Sequence, residues 1–133
     1  MTFSKCKFAI RVKDGLQWRD GYSFEACFSN GRLHEMAVYK EKARDALHKD
    51  NWIVSDINTG LAVCDGRTRK DAVRKFQDVY CSKLERMVYD DNSHHGMNTY
   101  EKMCADFAEM LKVEIEKELN KISDDESRFM RDE

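Results

Sequence analysis

Two groups of residues in this sequence have the type and spacing to bind a charged partner, and one pair has the type to ligate a metal. Arg67, Arg69, Lys70, Arg74 and Lys75 form the densest basic cluster. They surround Thr68, which with Asp71 makes a variant of the capping box that opens a helix. A helix start exposes amides and carries partial positive charge, so acidic residues suit its first turn better than Arg69 and Lys70. The placement disfavours the helix slightly, and contact with nucleic-acid phosphates or an acidic partner would account for it. The competing expectation is a solvated surface whose charge is offset by Asp65, Asp71 and Asp78.

The second group is acidic: Glu109, Glu114, Glu116 and Glu118. These carboxylates could mimic phosphates or bind a partner, but no histidine stands near them to organise acid–base work. His94 and His95, between Asp90-Asp91 and Gly96, are the candidate metal ligands and the basis of an alternative as a metal-dependent hydrolase. A metal site needs roughly three or four convergent ligands, and adjacent loop histidines usually diverge. No metal and no cofactor is therefore expected. Trp18, Tyr22, Phe24 and Phe28 share parity and could stack bases, although that spacing more often marks a buried face. No Gly-rich phosphate loop and no Ser/His/Asp or Cys/His order is present, so no catalytic residue is assigned.

The segment Asp65-Gly66-Arg67-Thr68-Arg69-Lys70-Asp71-Ala72-Val73-Arg74-Lys75-Phe76 resembles the last strand and helix of a double-stranded-RNA-binding domain. It also resembles the strand-to-helix step of the antitoxins that neutralise HicA-type toxins. The first resemblance implies that Arg69, Lys70 and Arg74 contact phosphates and read duplex shape. It also implies a helix ahead of three strands, which the pattern of the first residues does not supply.

The elements that would position these residues follow from periodicity. Cys6, Phe8, Ile10 and Val12 alternate with polar or small residues as in a half-buried strand, and Asp14-Gly15 is a hairpin turn signal. Leu16 to Phe28 continues as the return strand, with a bulge expected at Asp20-Gly21. After the Asn30-Gly31 turn, Leu33, Met36, Ala37, Ala43 and Leu47 fit helical spacing, so a helix is expected over about 33–49, with a second hairpin as the alternative. Trp52–Ile57 and Leu61–Cys64 read as strands around the Asn58-Thr59-Gly60 turn. Ala72, Phe76, Val79, Tyr80, Leu84, Met87 and Val88 are the stripe of a first helix. A polar break at 90–96 precedes a second helix that Asn98 and Glu101 cap. Its stripe is Tyr100, Met103, Cys104, Phe107, Leu111, Ile115, Leu119 and Ile122. The expected class is α+β: an antiparallel sheet of about four strands with two or three helices on one face and a long C-terminal helix. One domain is expected over 1–122, with 123–133 as a polar tail that frays.

Length and composition agree. A chain of 133 residues suits one core, and 41% hydrophobic with 36% charged residues is globular but strongly charged. No apolar run reaches transmembrane length, and Lys5, Lys7 and Arg11 interrupt any leader-like stretch. Five widely and irregularly spaced cysteines make a poor disulfide framework, so reduced thiols in a cytoplasmic location are expected. Charge is divided along the chain. Residues 1–89 carry 17 Lys and Arg against 12 Asp and Glu, whereas residues 90–133 carry 6 against 13. Such a split suits a non-enzymatic protein acting through surfaces on a macromolecular partner, protein or nucleoprotein, with no membrane role. The compact, proline-free, highly charged chain suggests an accessory protein of a bacteriophage or mobile element that inhibits a host nucleic-acid-handling complex. Direct duplex RNA or DNA binding through 67–75 is the alternative, and homodimerisation through the long helix is a further expectation.

Overall fold

The computed structural model describes residues 1–42, 49–89 and 99–131, with side chains of the last helix described to Lys121. Five strands form one antiparallel meander: β1 Ser4–Val12, β2 Gly15–Cys27, β3 Leu33–Glu41, β4 Asn51–Asp56 and β5 Ala62–Gly66. Each pairs only with its sequence neighbours, and the β1–β2, β2–β3 and β4–β5 connections are short, as antiparallel neighbours allow. A helical stretch follows, made of α1 Arg69–Lys75, a π turn Phe76–Tyr80 and α2 Cys81–Val88; α3 then runs Thr99–Arg131. The fold is α+β, with one strand more than the sequence suggested. Among the described residues, the three strands β3, β4 and β5 that lead into α1 follow two further strands, β1 and β2, where the resemblance to the double-stranded-RNA-binding domain implies a helix. No described helix is long and apolar enough to cross a membrane.

The segment expected as a helix over 33–49 is instead β3 through Glu41, with 43–48 outside the described residues. Met36, Ala37, Val38 and Tyr39 are all buried because the strand is central and covered on both faces. A strand covered on both sides loses its alternation, and a continuous apolar run containing Met and Ala reads as helix. The pairing partners decide the outcome: β2 on one side and β4 on the other.

The bulge expected at Asp20-Gly21 is also absent, since pairing runs unbroken from Ser4↔Ser23 to Val12↔Gly15. The register shifts instead at Val54/Ser55, against β5. Gly21 has a different task. A Cβ there would collide with the Val38 carbonyl oxygen and press on Phe8 and Tyr39. Beyond this point β2 parts from β3, and the β1–β2 arm curls over the sheet. The arm ends against the β4–β5 turn, where the Arg11 amide donates to the Gly60 carbonyl at 2.8 Å.

The curl creates two cores. Phe24, Ala26, Phe28, Met36, Val38 and Val54 face the helices and pack on Ala72, Val73, Phe76, Leu84 and Tyr100. On the opposite face Phe8, Ile10, Ala37 and Tyr39 form a smaller cluster with Ile53 and Ile57. Thr68 caps α1 as its sequence implies, its Oγ1 accepting from the Asp71 amide at 3.0 Å.

Gly60 fixes where α3 crosses the sheet. Its φ is +70°, and the Phe107 ring occupies the space a Cβ would need. Gly60→Ala is expected to destabilise the fold by about 2 kcal/mol or more, from backbone strain and displacement of a buried ring. Chemical denaturation of the variant measures this, and an unchanged midpoint would refute it.

Candidate functional site

Three features could carry function: a buried polar cluster beneath α3, the basic surface around α1, and the overhanging end of α3. The cluster is built on Asp56, at the end of β4. Its Oδ1 accepts from the Asn58 amide at 3.2 Å, an Asx-type turn that shapes the β4–β5 connection. Its Oδ2 accepts from the Tyr100 hydroxyl at 2.7 Å and from Thr59 Oγ1 at 3.2 Å. His34 Nε2, from β3, lies 3.0 Å from Asp56 Oδ1 and 3.1 Å from the Tyr100 oxygen. Because the tyrosine proton is committed to Asp56, Nε2 is assigned as the protonated ring nitrogen, donating to both oxygens. Phe28 stacks on the His34 ring at 5.1 Å between centroids.

All four side chains, His34, Asp56, Thr59 and Tyr100, are buried. Burial pushes the Tyr100 hydroxyl far above its ordinary value, and the hydrogen bond to Asp56 and that residue's charge push it further. A phenol held this way keeps its proton and serves as a permanent donor. Arg11 reinforces the clamp from the β1 side: its Nε donates to the Thr59 carbonyl at 2.7 Å and its Nη2 to the Met103 carbonyl at 2.8 Å. The guanidinium also lies 5.5 Å from the Phe107 ring centre. Three strands, a turn and α3 are thereby joined through one carboxylate and one guanidinium. Sequence reasoning missed His34, Asp56 and Tyr100. Only the Asp-x-Asn-Thr-Gly turn held a local signal, because the other partners come from β3 and α3.

The basic residues divide. Arg69 is held between two aromatic rings, its Cζ 4.7 Å from the centres of both Phe3 and Tyr22. Lys75 pairs with Asp65 at 3.7 Å. Arg67, Lys70 and Arg74 are exposed. Phe24 and Phe28 are core residues, Tyr22 is half-buried against Arg69, and Trp18 is exposed on the arm. These four rings do not form a common stacking surface.

Along α3, Tyr100 and Phe107 are buried, but Val113, Ile115 and Leu119 are 42%, 49% and 59% exposed. The helix is 33 residues long, about 50 Å at 1.5 Å per residue, and only its first part lies on the domain. It continues as helix through most of the stretch read from sequence as a tail. Glu109, Glu116 and Glu118 are exposed and Glu114 is half-exposed, with a 3.8 Å contact to Lys117. Over 109–121 these four glutamates alternate with Lys112, Lys117 and Lys121. That mixture beside an apolar stripe suits a protein surface better than a phosphate-like row.

His94, His95 and Asn98 lie outside the described residues. Among the described residues no group of three or more His, Cys, Asp or Glu is arranged to hold a metal. All five cysteines are unpaired. Burial raises the Cys64 thiol from 9.0 to about 11, with Lys75 lowering it and Asp65 raising it less strongly. Compared with family models, curated proteins and solved structures, the chain shows no significant match.

Two outcomes test this geometry. Tyr100→Phe removes a donor from a buried carboxylate and is expected to cost about 1–3 kcal/mol. Urea denaturation reads that cost as a lower midpoint at unchanged slope, and a loss below about 0.5 kcal/mol would contradict the clamp. Cys64 is expected to react with a disulfide reagent far more slowly than exposed Cys27 at a pH between 9.0 and 11. Because the folded value is the higher one, the Cys64 contribution to stability is intact below pH 9.0 and lost as pH rises through about 11. Equal labelling rates would contradict this.

Proposed function

We propose that this is a non-enzymatic binding protein that docks on a macromolecular partner through the overhanging half of α3. One observation carries the reading: a helix clamped at Tyr100 and Phe107 continues past the domain with Ile115 and Leu119, four residues apart on one face, uncovered. Isolated apolar side chains are ordinary on surfaces, but a stripe at helical spacing on a projecting helix is what helix-in-groove recognition uses. The Asp56 cluster supports the same reading, since its donors are committed to holding α3 in place. The strongly charged, proline-free composition favours a role as a bacteriophage or mobile-element accessory protein acting on a host nucleic-acid-handling complex.

Capture from lysate with the full chain is expected to recover a stoichiometric partner. Ile115→Glu combined with Leu119→Glu is expected to abolish capture while leaving the fold intact, because both side chains are exposed. Undiminished capture by the double variant would refute docking through α3.

A second reading, direct binding to duplex nucleic acid, is favoured by the common exposure of Arg67, Lys70 and Arg74. It requires retention on duplex DNA or RNA that falls steeply with salt and is lost on reversing these three charges. Absence of retention at low salt excludes it.

A further inference from the structure

Strand β2 has an edge that the sheet leaves open. Tyr22 and Ser23 pair with β1 on one side and with β3 on the other, but β1 begins at Ser4, opposite Ser23. From Phe24 to Cys27 the β1 side of β2 therefore has no strand partner among the described residues. The β2–β3 ladder continues to Phe28, whose amide donates to the Arg32 carbonyl at 2.9 Å. Backbone groups of an antiparallel strand change sides at each residue, so those of Glu25 and Cys27 point to the open edge.

The side chains beside this edge carry uncompensated charge. Glu25 and Glu35 are directly opposed across β2 and β3, and both are exposed. Their neighbours Phe24, Ala26 and Met36 face the helices, so the two carboxylates lie on the opposite face. Among the described residues neither forms an ion pair. Like charges directly opposite one another destabilise a sheet. A groove of about 450 Å³ is lined by Ser23, Phe24, Glu25, Leu33 and Glu35 together with the first residues of the chain. No Lys or Arg lines it, and Met1, which does, pairs with neither carboxylate. Leu33, two residues from Glu35 on the same face, is 60% exposed.

Charges at an edge also deter self-pairing, but a Lys–Glu pair would do that without the repulsion. A second copy bound edge to edge would set its own acidic pair against this one, so the occupant must carry the opposite charge.

We propose that the open edge of β2 receives an extended basic segment of a partner protein as an added strand. Its main chain bonds to Glu25 and Cys27, a Lys or Arg lies against Glu25 and Glu35, and an apolar side chain two residues along covers Leu33. Main-chain bonds supply affinity in this mode and alternate side chains supply selectivity. None of these residues belongs to α3, so this proposal and docking through α3 stand or fall separately.

Fluorescence anisotropy of the full chain with a labelled, terminally blocked peptide alternating Lys and Val tests it. Saturable binding that weakens with salt is expected. Glu25→Lys combined with Glu35→Lys is expected to weaken it at least about tenfold. The same peptide N-methylated at alternate residues keeps its charge but loses main-chain donors, and is expected to bind comparably poorly. Absence of binding at low salt overturns the proposal, as does equal binding by the double variant. Equal binding of the N-methylated peptide overturns it too, since charge alone would then explain retention. Urea denaturation of Glu35→Lys gives a readout independent of any peptide. Its midpoint is expected to rise, because an opposite-charge pair replaces a repelling one, and an unchanged or lower midpoint removes the case for a basic occupant.

Discussion

The Asp56 carboxylate is the point at which the separate parts of this molecule become one fold. Taking a carboxylate out of water is costly, and the cost is met only where donors converge from several directions. Here they come from the turn that follows Asp56, from His34 on the neighbouring strand and from Tyr100 on α3. The arrangement therefore imposes a geometric condition as well as contributing stability. α3 must start where its tyrosine can reach β4, and the β4–β5 turn must hold its shape for Thr59 to donate. Arg11 extends the condition to the β1–β2 arm, whose curl brings its guanidinium to the same turn.

With its first part held, α3 acts as a rigid extension of the sheet. The docking properties assigned to its far half depend on this, because a loosely tethered amphipathic helix would fold its apolar stripe back onto the nearest core. The split charge of the chain gains a structural meaning as well. Its basic and acidic portions are separated along the backbone, and the acidic end is carried away from the domain on a helix.

Much of the fold was legible in the sequence because its signals are local. The Asp14-Gly15 and Asn58-Thr59-Gly60 turns, the Thr68 cap and the stripe of α3 each declare themselves within a few residues. β3 was hidden by its central position, since the run Met36–Tyr39 is buried on both faces and shows no period. The spacing of Leu111, Ile115 and Leu119 defines an apolar stripe, but only the place where α3 leaves the domain shows that its end lies uncovered. Among the basic residues, charge alone could not separate Arg69, held between Phe3 and Tyr22, from the exposed Arg67, Lys70 and Arg74. That distinction depends on β2 and the first residues of the chain passing beside α1. The His34–Asp56–Tyr100 cluster joins residues distant in sequence, so only the fold brings them together.

The π turn at Phe76–Tyr80 has a consequence for the orientation of everything after it. Ala72, Phe76, Tyr80, Leu84 and Val88 recur at every fourth residue, and in an uninterrupted α-helix such a row drifts by about 40° at each step. A turn closed by i→i+5 bonds absorbs one extra residue, which is worth about 100° of rotation. The helix thus behaves as a shaft with a phase adjuster, keeping Leu84 turned to the same core as Phe76. It also sets the angle at which Tyr80, Lys83 and Met87 wall a cleft against Leu61 and Val63. Regularising 76–80 to α-helix without removing a residue would rotate that wall by about 100° out of alignment with β5, whereas a one-residue deletion there would leave a regular helix in the same phase.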